Sequence, residues 1–210
     1  MKRTHLRIAA ILTSSAAVVM TTGALTASNA DPSPYQVVAS GLNNPRHLSF
    51  GPHGDLFVAE AGSGGPGTCI NGSDGGINCF GWTGSITEVT RSGHQFRVLN
   101  GLGSLATQTD DPATPTSEVG TQAIGPAAVS VGRNGRYVIT MGLGAPTDLR
   151  AALPRRAGFA TLLSGSLQRH GHGHWYWHRG WHKGPRVIAD LGAHEAATNP
   201  VDNIDTDPSS

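Results

Sequence analysis

Alternating apolar and polar positions mark out two hairpins of the same design. Residues 45–50 alternate, a Gly-x-x-Gly tetrapeptide follows, and residues 55–58 form a more continuously apolar run. The same pattern returns 81 positions later, in residues 126–131 and 136–139. Alternation with a period of two on either side of a glycine-bearing turn is typical of an antiparallel hairpin. The chain therefore contains an internal repeat built on a β-hairpin.

Two more apolar segments extend each hairpin to a unit of four strands. Each unit is expected to be an antiparallel meander, with unit one at about 45–102 and unit two at about 126–191. The predicted third strands are 84–89 and 158–163, and the predicted fourth strands are 96–102 and 186–191.

The segment 35–42 resembles a fourth strand that has no hairpin before it. A β-propeller closes its ring in this way, because an N-terminal strand completes the last blade. The predicted fold is therefore all-β, a partial β-propeller of about two four-stranded blades plus a donated N-terminal outer strand. A small β-sandwich is the alternative. It would not by itself explain a hairpin that repeats in the same order with the same turn.

Three long connectors separate the predicted strands. They are 61–83, which is rich in glycine, 103–125, which is rich in Ser, Thr, Asp and Pro, and 164–183, which is rich in His and Trp. Structureless loops longer than about 12–15 residues are usually functional or disordered. We expect 61–83 to be an exposed loop. A polar tail, 201–210, follows the last unit.

Composition agrees with a turn-rich β protein, and the first thirty residues resemble a signal peptide. The chain has 29 glycines and 13 prolines in 210 residues, and only 14% of its residues are charged. Lys2, Arg3 and Arg7 precede an apolar stretch, and small residues stand at 28 and 30, which predicts cleavage before Asp31 and secretion. Removal of the three basic residues changes the formal net charge from +1 to −2. We therefore expect no nucleic-acid partner and, after cleavage, no membrane association.

Cys69 and Cys79 are the only two cysteines of the chain. An isolated pair this close in a secreted protein is expected to form one disulfide. Two free thiols that bind a metal are the alternative, but the C-x-x-C spacing of such sites is missing.

Several segments, taken in order, closely resemble the ScyD/ScyE family of secreted bacterial proteins. They include PRHLSFGPHGDLFVAEAGSGGPGTC, AIGPAAVSVGRNGRYVITMGLG and VIADLGAHEAATNP. The resemblance covers essentially the whole mature chain, and it implies a six-bladed propeller related to NHL-type and gluconolactonase-type propellers. It brings no established activity. Two blades would form only part of such a ring, so we expect self-association or association with the missing blades.

The resemblance also suggests a divalent-ion site, because gluconolactonase-type propellers hold an ion on their axis with Glu, Asn and Asp oxygens. The residues that would face such an axis are Glu60, Glu195, Asn199 and Asp202. Oxygen ligands of this kind suit hard cations. The rest of the ligand set would come from other blades.

The tract 170–182 is a second candidate for metal binding. It holds five histidines in thirteen residues, with tryptophans and a tyrosine among them: His170, His172, His174, His178 and His182. On a strand, alternate imidazoles share one face about 7 Å apart. Imidazole binds divalent transition metals. The other interpretation is an exposed, glycine-loosened loop whose metal affinity is incidental.

Two classes of function follow from the sequence. The first is a secreted propeller-type binding or interaction protein with an unidentified ligand. The second is a lactonase-like or metal-assisted hydrolase, for which the support is fold analogy. A truncated relic without a function of its own is a third interpretation.

Overall fold

The computed structural model describes residues 35–72, 76–108, 119–144, 147–169, 175–176 and 184–198. These residues form two large antiparallel β-sheets, one separate pair of short strands, two short 3₁₀ helices and one α-helix. The first sheet, sheet one, contains β1 (Pro45–Phe50), β2 (Leu56–Glu60), β3 (Cys69–Asn71), β4 (Ile77–Val89) and β5 (Gln95–Thr107). The second, sheet two, contains β6 (Pro126–Val131), β7 (Arg136–Met141), β8 (Thr161–Ser166) and β11 (Arg186–Asp190). The predicted all-β class is confirmed.

Each sheet is a meander of four strands in sequence order. Sheet one runs β1-β2-β4-β5, with β3 beside the first residues of β4, and sheet two runs β6-β7-β8-β11. A separate pair joins β9 (Gln168–Arg169) to β10 (Trp175–Tyr176). The α-helix α1 (Leu191–Thr198) follows β11 directly, and the 3₁₀ helices Thr147–Ala152 and Arg155–Ala157 lie between β7 and β8.

The two repeated hairpins have the same turn. In the first, the N–H of Gly51 donates to the carbonyl of Asp55, and Gly54 donates back to Gly51. The pair Gly132 and Gly135 repeats both bonds in the second hairpin. Gly54 and Gly135 have φ values of 77° and 74°, a left-handed conformation that glycine adopts without a steric penalty.

Two predictions about local structure are wrong. Residues 35–42 contain no strand in the structure. Their backbone groups bond instead to side chains of sheet one, for example Ser40 to Gln95. The connector 61–83 is not a loop throughout, because β3 and the first seven residues of the long strand β4 lie within it. Its glycine content suggested a loop, but pairing along β5 gives these backbone groups partners in a sheet.

Sheet one and sheet two bury one shared hydrophobic core. Phe57, Ala59 and Ile86 of sheet one pack in the same cluster as Val129 and Ile139 of sheet two. The sheets approach most closely along β6, which lies beside β1 and β2. Gly125, just before β6, has no room for a side chain, because a Cβ there would lie 2.4 Å from the carbonyl oxygen of Ala61.

Positions that correspond in the repeat face opposite ways in the two sheets. In sheet one, Phe57 faces the shared core, whereas Leu48 is 56% exposed. The exposure of their counterparts 81 positions later is the opposite. Val138, the counterpart of Phe57, is 38% exposed, and Val129, the counterpart of Leu48, lies in the core. We name the four surfaces the Phe57 face and the Leu48 face of sheet one, and the Val129 face and the Val138 face of sheet two. The Phe57 face packs on the Val129 face. The two repeats therefore pack head to tail, which means that two non-equivalent faces of the repeat meet.

Candidate functional site

Glu60, at the end of β2, is fully buried, and both of its carboxylate oxygens accept hydrogen bonds. Oε1 accepts from the Thr87 hydroxyl and, at 3.3 Å, from Nε of Arg97. Oε2 accepts from the backbone N–H of Asn43 at 2.6 Å and from Nη2 of Arg97 at 3.0 Å. Four donors therefore surround the carboxylate on the Leu48 face of the sheet.

The charge of Glu60 is stabilised in place. Burial raises the pKa of this carboxyl group, but the hydrogen bonds from Arg97, Thr87 and Asn43 and the charge of Arg97 outweigh burial, so the net pKa lies below its ordinary value. Arg97 also donates to the carbonyl of Gly41 at 2.9 Å. The carboxylate thus joins the outer strand β5 to the segment that precedes β1, and its oxygens serve the fold.

The other three proposed axis-facing residues are placed differently or not described. Glu195 lies exposed on α1, a helix that packs near the 3₁₀ helix Thr147–Ala152 and β8. Asn199 and Asp202 lie outside the described residues. The structure therefore does not place Glu195 among the residues that contact Glu60, which are Asn43, Thr87 and Arg97.

The histidine tract also falls mostly outside the described residues. Those residues exclude all five candidate ligands, His170, His172, His174, His178 and His182. Within the described part of the chain, no group of three His, Cys, Asp or Glu side chains is placed to hold a metal ion. The metal-binding prediction for the tract stays a prediction.

The predicted disulfide between Cys69 and Cys79 is confirmed. The two cysteines are direct partners in the β3–β4 ladder. Cys79 is buried, and Phe80 beside it stacks edge to face on Trp82 and Phe159, with ring centroids 4.8 Å and 6.2 Å apart. The bond therefore fixes the end of the extended hairpin that covers a second cluster of apolar side chains.

A cleft of about 540 Å³ lies between the 3₁₀ helices and β11. Leu153 and Phe159, both buried, contribute apolar surface to it. Arg150 and Asp190 form a two-pronged ion pair at its wall, with Nη1–Oδ1 and Nη2–Oδ2 distances of 2.5 Å and 3.0 Å. Arg155 is another lining residue. The cleft thus combines an apolar surface with fixed charges.

Asp190 has two structural roles at this cleft. Its Oδ1 accepts the backbone N–H of Ala193 at 2.9 Å, so it caps the first turn of α1. The hydrogen bond from Arg150, followed by the one from Ala193, lowers the pKa of the Asp190 carboxyl group. The pair therefore keeps its charges at neutral pH and holds α1 against the 3₁₀ segment.

Sequence reasoning missed Arg97, Arg150 and Arg155. A usable signal existed for Arg97, because the repeat counterpart of Glu60 is Met141, a buried apolar residue. A carboxylate at a position that its repeat keeps apolar indicates a cationic partner for the buried carboxylate. No comparable signal marks the cleft, because Arg150 and Arg155 come from the segment between β7 and β8, which has no counterpart in the first unit.

Comparison with known proteins yields no relative. No family model, no curated protein and no solved structure matches the chain. Among the described residues, none of the helices has the length and apolar character needed to cross a membrane.

Proposed function

We propose that the protein is a secreted binding and interaction protein of the propeller type, similar to the ScyD/ScyE family, in which the two sheets are consecutive blades. The observation that carries the proposal is the head-to-tail packing of the repeat. The Leu48 face and the Val129 face correspond in sequence, yet Leu48 and Phe50 are exposed, whereas Val129 and Val131 pack with the Phe57 face. Blades of a propeller use two different faces in this way, each towards one neighbour.

The proximity of the strands supports the same proposal. In a propeller the first strand of each blade lies nearest the axis, where the blades converge. Here β6, the first strand of its sheet, is the one that lies beside β1 and β2, and the Ser49 hydroxyl of β1 donates to the carbonyl of Val129 at 2.8 Å. The sandwich alternative provides no reason for the repeat to be joined head to tail.

A binding role agrees better with the contacts of Glu60 than a hydrolytic role does. Both oxygens of Glu60 already accept hydrogen bonds, with Arg97 as a charged partner. A cation placed there would have to displace these donors and face the Arg97 guanidinium. We therefore assign Glu60 to the fold rather than to a divalent ion.

We place the ligand site in the cleft beside Arg150. An apolar surface with one ion-paired arginine and Arg155 nearby suits a small molecule that has an apolar body and an acidic group. The acidic group would contact Arg155, since Arg150 already holds Asp190.

A fluorescent probe with an aromatic body and a sulfonate, 8-anilinonaphthalene-1-sulfonate, tests this site. We expect saturable binding that Arg155→Ala weakens several-fold and that Arg133→Ala, a change in an exposed hairpin turn, leaves unchanged. Phe50→Asp controls for dye on the exposed Leu48 face. Binding that only Phe50→Asp removes would contradict the assignment of the cleft.

Two measurements test the other parts of the proposal. The intact mass of the exported protein should equal residues 31–210 less the two hydrogens of the disulfide, and a mass that retains the leader would contradict secretion by cleavage at Asp31. Calorimetric titration with Ca²⁺ should show no binding that depends on Glu60. A stoichiometric Ca²⁺ site lost in Glu60→Gln, with the fold intact, would instead favour the hydrolase interpretation.

A further inference from the structure

In the described part of the chain, two sheet faces have exposed apolar side chains and correspond to the two faces already packed together. On the Leu48 face the exposed side chains lie on β1, because Glu60 is buried beside the segment that precedes β1. The Val138 face of sheet two corresponds in the repeat to the Phe57 face, and the Leu48 face of sheet one corresponds to the Val129 face. The Phe57 and Val129 faces form the interface inside the chain. Among the described residues, one surface of each kind is therefore left over.

We propose that a second copy of this chain occupies these surfaces, with the Val138 face of one copy packed on the Leu48 face of the next. The inference rests on the proposed function, because it treats the sheets as blades. The proposed contact repeats the interface inside the chain, because the Val138 face corresponds to the Phe57 face and the Leu48 face corresponds to the Val129 face. The partner is therefore a copy and not an unrelated protein.

Exposed apolar side chains lie on both surfaces. On the Leu48 face, Phe50 is 74% exposed, although its counterpart Val131 is buried against sheet one. On the Val138 face, Leu162 is half-buried and lies in register with Thr140, the neighbour of Val138 on the same side of β7. A second copy would remove these side chains from water, and burial of apolar surface favours association.

Charge does not drive this association. Arg136 and Arg186 are exposed on the Val138 face, whereas the charge of Arg97 on the Leu48 face is paired with Glu60. Salt screens interactions between exposed charges. Association through these apolar surfaces should therefore persist as the salt concentration rises.

Head-to-tail contact between different surfaces gives a closed ring when the rotation closes and an open chain when it does not. A propeller closes with roughly four to eight blades, so a ring would need about two to four copies. A dimer in which the same face of both copies meets is not expected, because the interface inside the chain joins two different faces.

Sedimentation velocity of the secreted protein, over a range of concentrations and two salt concentrations, tests the proposal. We expect assemblies larger than a monomer that persist at the higher salt concentration. Phe50→Asp blocks the Leu48 face and Val138→Asp blocks the Val138 face, so each variant alone should be monomeric. Leu191→Asp, on α1 and outside both sheets, is the matched control and should assemble like the parent.

The decisive sample is an equal mixture of the two monomeric variants. Each has one intact face, so the mixture should form a one-to-one dimer and nothing larger. Thermal melting first establishes that each variant is folded. If Val138→Asp melts early, Ser130→Glu replaces it, since Ser130 is exposed and pairs with Val138 across the strands.

Three results would overturn the proposal: a parent protein that stays monomeric throughout, a single variant that still dimerises, or a mixture that stays monomeric. A monomeric parent whose two sheets still pack through Ile86 and Val129 would refute the assembly alone. Loss of that packing would refute the proposed blades as well.

Discussion

Replacement of Arg97 by methionine should destabilise the protein more than replacement of its partner Glu60 by glutamine. Methionine keeps most of the side-chain stem but leaves the Glu60 carboxylate, which is 0% exposed, without its cation. Removal of one partner of a buried pair costs about 3–5 kcal/mol. Two donors, from Asn43 and Thr87, remain on Glu60, so we expect the low end, about 3 kcal/mol.

Glu60→Gln leaves the charge on the more accessible partner. The Arg97 side chain is 41% exposed in the ion pair, so water can solvate the guanidinium once the carboxylate is gone. The glutamine NH₂ group replaces a carboxylate oxygen, so the donors that bonded to that oxygen lose their acceptor. The loss of such a hydrogen bond costs about 1–2 kcal/mol. The double variant Arg97→Met/Glu60→Gln should be more stable than Arg97→Met alone, because Glu60→Gln removes the unpaired buried charge.

The pH dependence of stability should be weaker in Arg97→Met than in the parent at this group. In the parent, the Glu60 pKa is lowered, so its stabilisation is present above its ordinary value of 4.5 and is lost as pH falls through the folded value. In Arg97→Met, the Glu60 pKa is higher than in the parent, because the hydrogen bond and the charge of Arg97 no longer lower it. The carboxylate therefore contributes less stability above its ordinary value, and less is lost as pH falls.

Urea unfolding, followed by circular dichroism between pH 4 and 8, measures both effects. The stability gap between parent and Arg97→Met should be about 3 kcal/mol near neutral pH and shrink toward pH 4. The other carboxyl groups are the same in both proteins, so their contribution cancels in the difference in unfolding free energy. Arg133→Met controls for the loss of an exposed arginine. A gap independent of pH, or no rescue by Glu60→Gln, would refute this assignment of Glu60.

Three further predictions concern the core, the disulfide and the histidine tract. Ile139→Ala should cost about 2–5 kcal/mol, because Ile139 is fully buried between the sheets. Val138→Ala, one position along the strand, should cost less than about 1 kcal/mol, and equal losses in urea unfolding would contradict the shared core. Replacement of both cysteines by serine should lower the unfolding free energy by about 2–3 kcal/mol, and an unchanged urea midpoint would show that the bond adds nothing. Calorimetry with Zn²⁺ should give weak binding little changed in His172→Ala, whereas a tight one-to-one site lost in that variant would support an evolved metal centre.

The repeat made most of the fold predictable. Local alternation and the Gly-x-x-Gly turn define β1, β2, β6 and β7, because a hairpin depends on neighbouring residues alone. The third and fourth strands were placed from their similarity between units. Sheet one extends past its predicted end, to Thr107, because β4 and β5 pair beyond the repeat.

The remaining errors come from interactions that sequence distance hides. The segment 35–42 has the apolar pattern of a strand, but its backbone N–H at Ser40 and its carbonyl at Gly41 bond to the side chains of Gln95 and Arg97 instead of to a neighbouring strand. The helix α1 depends on the cap at Asp190 and on Arg150, forty positions away. Similarly, the cleft depends on the 3₁₀ helices, whose sequence has no counterpart in the first unit.

The head-to-tail packing of the two sheets can be tested directly by methyl NOE spectroscopy of the folded protein. Ile86 and Leu99 of sheet one line the same small gap as Val129 and Val131 of sheet two. We therefore predict NOEs between these methyl groups, and none from the Leu48 or Val58 methyl groups to sheet two in the monomeric Phe50→Asp variant. NOEs from Leu48 or Val58 to Val129 in that variant, without those from Ile86, would contradict the packing on which the propeller proposal depends.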